Sequence, residues 1–323
     1  MKATTAGSRR SGQRRGLPPL LSTGLTYMAL AAFWFSVMSL LVKLAGQRLH
    51  TQQIVLARAV VSLALSYVLL RRAGLGLWGS RPALLLLRGA LGFVALSCFY
   101  YALVHLPLAD ATVLQYTNPI FTALLAAWLL RERIGVREAA LVLFGMAGVL
   151  LIARPSFLFG ERLVQLDPLV VAVALAGALF SAGAYVTVRR LGATEHPLVI
   201  VFYFPLVTIP ASLPFAAARW VWPTPLEWLV LLGVGIATQI GQIYLTKGLQ
   251  LEPAGRATAV GYLQIVFAAV WGLLFFAERP DAWSLAGALL IIGSTLALAR
   301  KRGRRRQTPP PAPLAPESSQ PVL

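Results

Sequence analysis

The chain has 323 residues, of which 58% are hydrophobic and only 12% are charged, and its mean hydropathy is +0.72. A soluble domain carries roughly a quarter charged residues, so this composition excludes an ordinary water-soluble fold. The formal net charge of +18 does not indicate nucleic-acid binding, because the basic residues form short clusters between apolar runs, as in membrane proteins.

Ten apolar segments follow one another along the chain, each close to the ~20 residues that cross a bilayer as a helix. The sequence therefore predicts an all-α integral membrane protein whose immediate surroundings are the lipid bilayer. The first segment is too long for the apolar core of a signal peptide, which predicts a retained helix. The predicted spans are 22–45, 52–71, 83–104, 108–129, 136–153, 168–188, 197–216, 226–247, 254–276 and 281–299.

The longest connection between spans divides the chain into two halves of five spans each. We predict a basic N-terminal tail at 1–21, a first repeat at 22–153, a connecting loop at 154–167, a second repeat at 168–299 and a basic, proline-rich disordered tail at 300–323. With the N-terminus inside, cytoplasmic segments hold 21 Lys and Arg residues and outside loops hold 5. This bias predicts that both termini are cytoplasmic, in a bacterial inner membrane.

The two halves align at a constant offset of 146 residues. Pro107 corresponds to Pro253, Tyr116 corresponds to Tyr262, and the Glu-Arg pair at 132–133 recurs at 278–279. Because each half has an odd number of spans, the second half enters the membrane from the opposite side. Two inverted five-helix repeats are an architecture of secondary transporters, whose substrates bind near the midplane between the repeats.

The repeated segments resemble the EamA-type repeat of the drug/metabolite transporter superfamily. The stretches FYYALVHLPLADAT at 99–112, YTNPIF at 116–121 and LRERI at 130–134 carry the resemblance, which extends over about residues 22–300. It implies ten helices, a central cavity and transport of a small metabolite such as an amino acid, nucleoside, cofactor or drug. The second half departs from the pattern at Arg256, Gly261 and Gln264, so the implied site is asymmetric.

Polar side chains within the predicted spans mark a candidate cavity, because such groups usually face the bundle interior. In span four, Pro119 predicts a kink beside several polar residues, and in span eight a stripe of small residues lies apart from a glutamine arc. Helix packing or interfacial placement is the alternative for each residue. The candidates are Trp34, Arg58, Tyr101, Thr112, Gln115, Tyr116, Asn118, Tyr203, Gln239, Gln242, Tyr262 and Gln264.

Charged residues within the spans suggest further roles. Arg58 either contacts a substrate carboxylate or bonds helix-end carbonyls, whereas Arg88 and Lys247 lie near span ends and are expected to snorkel to water. Asp110 is a candidate for ion coupling, with helix capping as the alternative.

No metal-ligand cluster, phosphate-binding loop or cofactor motif stands out, so we expect no metal, no cofactor and no ATP-driven transport. The predicted function is secondary transport of a small-molecule substrate, without enzymatic activity. The rival is a membrane-embedded enzyme or a lipid-handling membrane subunit. The sequence leaves a homodimer open.

Overall fold

A computed structural model describes residues 22–106, 108–155, 158, 167–276 and 281–299. Across these residues the chain forms twelve α-helices and no strands. The helices are α1 (Thr23–Ala45), α2 (Thr51–Arg72), α3 (Pro82–His105), α4 (Leu108–Gln115), α5 (Asn118–Leu129), α6 (Val136–Ala153), α7 (Pro168–Leu191), α8 (Pro197–Ala217), α9 (Pro225–Leu251), α10 (Ala254–Val260), α11 (Leu263–Phe276) and α12 (Ala282–Ala299).

These twelve helices form ten membrane spans, because two spans are each broken into two helices. Among the described residues, eight segments are long and apolar enough to cross a membrane, with α10 and α11 together forming one of them. The shorter apolar α12 and the pair α4–α5 complete the ten. The prediction of an all-α integral membrane protein with ten helices in two inverted repeats is therefore confirmed.

Several spans begin at a proline behind a capping residue. Pro168 opens α7 while the Asp167 carboxylate accepts a hydrogen bond from the Leu169 N–H at 2.8 Å. Pro225 opens α9 in the same way behind Thr224, whose hydroxyl accepts from the Glu227 N–H. Proline lacks the donor that the first helical turn leaves unused, so these residues fix where the spans start.

Long-range polar contacts define two ends of the helix bundle. At the first end, where α1 begins, the Ser22 hydroxyl donates to Glu252 beyond α9, and the Arg81 N–H donates to Glu195 in the α7–α8 connection. At the second end, the Gln53 amide at the start of α2 bonds the backbone of Val221 before α9. Connections therefore alternate between the two ends, as successive crossings of a bilayer require.

The packing of the helices follows the inverted repeat. The first helix of each repeat packs most extensively on the third span of the other repeat, which pairs α1 with α9 and α7 with α3. The remaining close pairs, α2 with α8 and α6 with α12, each join equivalent helices of the two repeats. The small-residue stripe of α9, formed by Gly233, Ala237 and Gly241, faces α1, because a Cβ on Gly241 would lie 2.9 Å from the Phe35 ring.

The two broken spans are also equivalent. Helix α4 ends at Gln115 and α5 begins at Asn118, so the break falls at 116–117 and Pro119 lies in the first turn of α5. In the second repeat the break falls at 261–262, between α10 and α11. The first break agrees with the kink predicted from Pro119. The second break was not predicted, because that span has no internal proline, although Tyr262 is the equivalent of Tyr116 at the offset of 146.

Candidate functional site

Arg88 occupies a buried position between the two repeats. It lies on α3, is only 3% exposed, and its Nη2 donates a hydrogen bond to Oε1 of Gln242 on α9 at 3.0 Å. Its Nε and Nη1 are buried without a hydrogen-bond partner among the described residues. The expectation that Arg88 snorkels to water is therefore wrong, because this face of α3 turns toward α8 and α9.

Arg88 and a second arginine, Arg58, both lie close to the ring of Phe204. The guanidinium carbon of Arg88 lies 4.7 Å from the centroid of the Phe204 ring on α8, and that of Arg58 on α2 lies 5.9 Å from it. Arg58 is 5% exposed, and its Nη1 lies 3.7 Å from the sulfur of Met38. Across the described part of the chain neither guanidinium has a salt bridge to a carboxylate.

Close packing of α3 against α8 creates this arrangement. Gly92 stands one turn after Arg88, and a Cβ there would lie 2.8 Å from the Phe204 ring and 3.2 Å from Nη1 of Arg88. The absence of a side chain at residue 92 lets the ring reach the guanidinium, where the ring face attracts the cation.

A tyrosine stands at each of the two helix breaks. The rings of Tyr116 and Tyr262 lie 6.1 Å apart, so the two equivalent breaks face each other across the repeat interface. Tyr185 on α7 is close enough to interact electrostatically with both Arg88 and Tyr116. We name these residues together with the arginine pair the interfacial cluster: Arg58, Arg88, Tyr116, Tyr185, Phe204, Gln242 and Tyr262.

The other predicted glutamines join helices of opposite repeats. The Gln115 amide donates to Ser181 at 3.2 Å, that of Gln239 donates to Ser66 at 2.8 Å, and that of Gln264 donates to Ser39 at 3.4 Å. The Oε1 atoms of Gln115 and Gln239 are buried and have no partner among the described residues. Buried polar groups are normally hydrogen-bonded, so these acceptors retain unused binding capacity.

The structure brings some of the remaining candidates into the interior and leaves others apart. Asn118 is 8% exposed at the start of α5, and Tyr203 is 1% exposed with its hydroxyl unpartnered among the described residues. Trp34 is partly buried, with its ring edge-on to Phe33 at 5.8 Å, and Thr112 is partly buried on α4.

Tyr101 does not join the interfacial cluster. Tyr101 is 41% exposed, and its ring lies 4.2 Å from that of His105 on the same helix. Asp110 is a residue of α4, but its side chain lies outside the described part of the chain, so the predicted coupling role stays a prediction.

An ion pair closes the first end of the bundle between the repeats. Glu132, which follows α5, accepts from Nε of Arg189 on α7 and from the Ala254 N–H, both at 2.9 Å. Arg189 also donates to the carbonyl of Gln250 at the end of α9. The sequence could show only that Glu132 stands between arginines at 131 and 133, whereas its partner comes from the other repeat.

The second end has an ion pair of its own. Arg48 in the α1–α2 connection donates to the carboxylate of Glu227 and to the carbonyl of Trp222 at 2.8 Å. The hydrogen bond to Glu227 raises the pKa of the Arg48 guanidinium, which stays charged at any physiological pH. Arg154, which follows α6, forms another ion pair at this end with Asp281 before α12. Opening either end therefore requires ion pairs between the repeats to separate.

Two pockets lie at the first end, with volumes of about 350 and 210 Å³, and Glu132 borders both. Their linings do not include the interfacial cluster, so the predicted central cavity stays a prediction. Within the described residues no group of three His, Cys, Asp or Glu side chains could hold a metal ion. The side chains of the interfacial cluster can bind a polar solute by hydrogen bonds and cation–π contacts, and they bring no acid–base pair together.

Comparison with known proteins agrees with this architecture. The model of the EamA-like transporter family matches residues 22–154 and again 168–300, two matches that begin 146 residues apart. A solved crystal structure superposes with a TM-score of 0.76 at 20% identity, covering 86% of this chain and 98% of that protein, which shows the shared fold.

Several relatives are similar over most of their length. The pseudopaline exporter CntI of Pseudomonas aeruginosa is 39% identical over 284 residues, which are 88% of this chain and 98% of that protein. Human solute carrier family 35 member G1 is 32% identical, covering 91% and 84%, and the S-adenosylmethionine uptake transporter of Rickettsia prowazekii is 27% identical, covering 84% and 91%.

The family and these relatives are transporters and not enzymes. The prediction of no enzymatic activity is therefore confirmed, and the rival of a membrane-embedded enzyme is excluded. Transport of a small molecule is the activity common to the group, and the double match covers nearly the whole described chain. The protein belongs to the EamA-like transporter family of the drug/metabolite transporter superfamily.

Proposed function

We propose that the protein is a secondary transporter that moves a small organic metabolite across the bacterial inner membrane along the interface between its two repeats. Both termini face the cytoplasm, so the first end of the bundle is the cytoplasmic end. The bias of 21 to 5 in Lys and Arg supports this orientation. The names of the relatives, which include pseudopaline and S-adenosylmethionine, support a small organic solute.

The observation that carries the proposal is the meeting of two broken spans at Tyr116 and Tyr262, 6.1 Å apart between inverted repeats. Broken helices free backbone groups near the midplane, where transporters of this architecture bind their substrates. Buried acceptors without protein partners, such as Oε1 of Gln115, stand beside this point. A solute that enters the interface finds hydrogen-bonding groups already desolvated.

Alternating access uses the ion pairs that join the repeats at the two ends of the interface. In this structure the pairs at both ends are formed: Glu132 with Arg189 at the first end, and Arg48 with Glu227 and Arg154 with Asp281 at the second. Transport requires the pairs at one end to separate while the other end stays closed, so that the solute is exposed to one side at a time. No nucleotide is needed for such a cycle, and a solute or ion gradient supplies the driving force.

Purified protein reconstituted in proteoliposomes tests the proposal. A melting-temperature screen against amino acids, nucleosides and vitamins selects binders, and each binder is then tested for counterflow of the radiolabelled compound. We expect saturable counterflow of at least one compound in the absence of ATP. Binding without flux for every compound, or flux only with ATP, would contradict secondary transport.

Topology is tested separately by labelling introduced cysteines. This is practicable because Cys98 is the only cysteine of the chain. In a Cys98→Ser background, Ala193→Cys reports the first end and Arg219→Cys reports the second. A membrane-impermeant maleimide added to intact cells should label Arg219→Cys and not Ala193→Cys. The reverse pattern would place the first end outside and overturn the orientation.

A further inference from the structure

We propose that Arg58 and Arg88, together with Gln242, form a binding site for an organic anion, and that the carboxylate group of the transported metabolite is what they bind. This inference rests on the proposed function, because it names the class of solute that the interface accepts. Arg88, which was expected from its position near a span end to snorkel to water, has a role in solute binding under this proposal.

Two buried cations lie at this site without an anion among the described residues. Arg88 and Arg58 are 3% and 5% exposed, and the described residues offer neither of them a carboxylate. Removing an arginine from water into a protein interior is unfavourable unless an opposite charge and hydrogen bonds compensate it. Gln242 supplies one neutral acceptor to Arg88, which leaves the positive charge itself unbalanced.

The guanidinium of Arg88 has hydrogen-bond donors that no described residue uses. The Nε and Nη1 atoms of Arg88 are buried and have no partner within the described part of the chain, while Nη2 is held by Gln242. Gln242 therefore fixes the guanidinium plane and leaves donors on two of its nitrogens for a ligand. Each of these two nitrogens has a free N–H on an edge of the guanidinium that it shares with Nη2, and such charged donors form strong hydrogen bonds to carboxylate oxygens.

The site lies between the two repeats. Arg58 and Arg88 come from the first repeat, whereas Phe204 and Gln242 come from the second. Both guanidinium carbons lie close to one ring, at 5.9 and 4.7 Å from its centroid, so both cations adjoin the same side chain of the second repeat. A ligand bound there contacts both repeats and so responds to their relative movement.

A purely structural role explains these observations less well. Arg88 bonds Gln242 and lies over Phe204, yet a neutral residue of similar size would make such contacts without burying a charge. Even a buried ion pair can often be replaced by well-packed apolar residues without loss of stability, and Arg88 lacks the compensating opposite charge of such a pair. The two roles therefore predict opposite behaviour of the unliganded Arg88→Gln protein: a structural arginine lowers the melting temperature when removed, and a ligand-binding arginine does not.

The test measures thermal stabilisation of the purified full-length protein by matched pairs of compounds: succinate with succinamide, glutamate with glutamine, and glycerol 3-phosphate with glycerol. We expect at least one carboxylate to stabilise the wild-type protein while its neutral counterpart does not. Arg88→Gln should weaken that binding about 10- to 100-fold, the effect of losing hydrogen bonds to a charged group, with no fall in the unliganded melting temperature. Arg58→Gln should weaken it in the same direction.

Lys247→Gln is the matched control. Lys247 is a partly buried cation on α9 whose nitrogen lies 5.6 Å from the Tyr27 ring, away from Phe204, and its loss should leave anion binding unchanged. If Arg88→Gln yields no folded protein, Arg58→Gln decides, because that change leaves the bond between Arg88 and Gln242 intact. Binding of neutral and anionic partners with equal affinity would overturn the proposal, as would wild-type affinity in both arginine variants.

The remaining outcomes are also decisive. Stabilisation by glycerol 3-phosphate alone would replace the carboxylate with a phosphate ester, and stabilisation by inorganic phosphate alone would show an adventitious ion only. The absence of any stabilisation at millimolar concentrations would overturn the anion site. Anion binding that is lost in Arg88→Gln, without flux in proteoliposomes, would uphold the site and contradict the proposed transport function.

Discussion

Replacing Glu132 with Gln should open the first end of the bundle. The carboxylate accepts from Nε of Arg189 and from the Ala254 N–H, each at 2.9 Å, and so joins the end of α5 to α7 and to the start of α10. Glutamine has nearly the same shape but offers one acceptor oxygen and no charge. One of the two contacts is lost and the other is weakened.

The structure limits the size of this effect. The side chains of Glu132 and Arg189 are 17% and 27% exposed, so the pair is neither fully buried nor fully solvated. An intermediate value of about 1 kcal/mol follows from the ranges for exposed ion pairs and for hydrogen bonds to charged groups. That energy shifts the ratio of open to closed molecules at the first end by about 5-fold.

Pulsed electron paramagnetic resonance measures this ratio directly. In a Cys98→Ser background, spin labels at Arg133→Cys and Ala193→Cys occupy exposed positions on opposite sides of the ion pair. The added Glu132→Gln change should increase the longer-distance population about 5-fold. Glu227→Gln, which removes the ion pair with Arg48 at the second end, is the matched control and should not lengthen this distance. An unchanged distribution in Glu132→Gln, or equal lengthening in both variants, would refute the assignment of the pair as a closure.

Three further changes test other parts of the molecule. Asn118→Leu should abolish transport while the yield of folded protein is retained, because it removes a buried hydrogen-bonding group at the helix break, and persistent counterflow would exclude Asn118 from the solute path. Gly241→Val should destabilise the protein by about 1–3 kcal/mol through overpacking against Phe35, whereas Gly293→Ala, whose Cβ meets nothing within 4 Å, should leave the melting temperature unchanged or slightly raised. Tyr262→Phe should preserve the melting temperature, because the hydroxyl has no partner among the described residues. Tyr262→Leu should lower the free energy of unfolding by about 0.5–1.5 kcal/mol, because it removes the aromatic contact with Tyr116.

Features determined by local sequence were predictable. The length and hydropathy of each span, together with the offset of 146, predict ten helices and an inverted repeat, because membrane insertion depends on each segment by itself. The break near Pro119 was predictable for the same local reason. The stripe at Gly233, Ala237 and Gly241 correctly indicated a packing face, which turns out to meet α1.

Features determined by the rotation and partners of helices were not predictable. Arg88 lies six residues from the start of α3, a position compatible with snorkelling, and only the packing of α3 against α8 shows that it turns inward. Glu132 has arginines on both sides in sequence, yet it bonds Arg189, 57 residues away. The break at 261–262 carries no proline, and the available signals were Gly261 inside the span and the equivalence of Tyr262 with Tyr116.

Some equivalent residues of the two repeats contact each other directly. Arg58 and Phe204 are equivalent at the offset of 146, and they meet at 5.9 Å, as the equivalent Tyr116 and Tyr262 meet at 6.1 Å. A residue on the pseudo-twofold axis of a duplicated protein faces its own copy. Two tyrosines tolerate such self-contact, whereas two arginines would repel each other in a medium of low dielectric constant. At this axis position a phenylalanine ring stands where a symmetric second repeat would carry another cation, and the face of that ring attracts the first one.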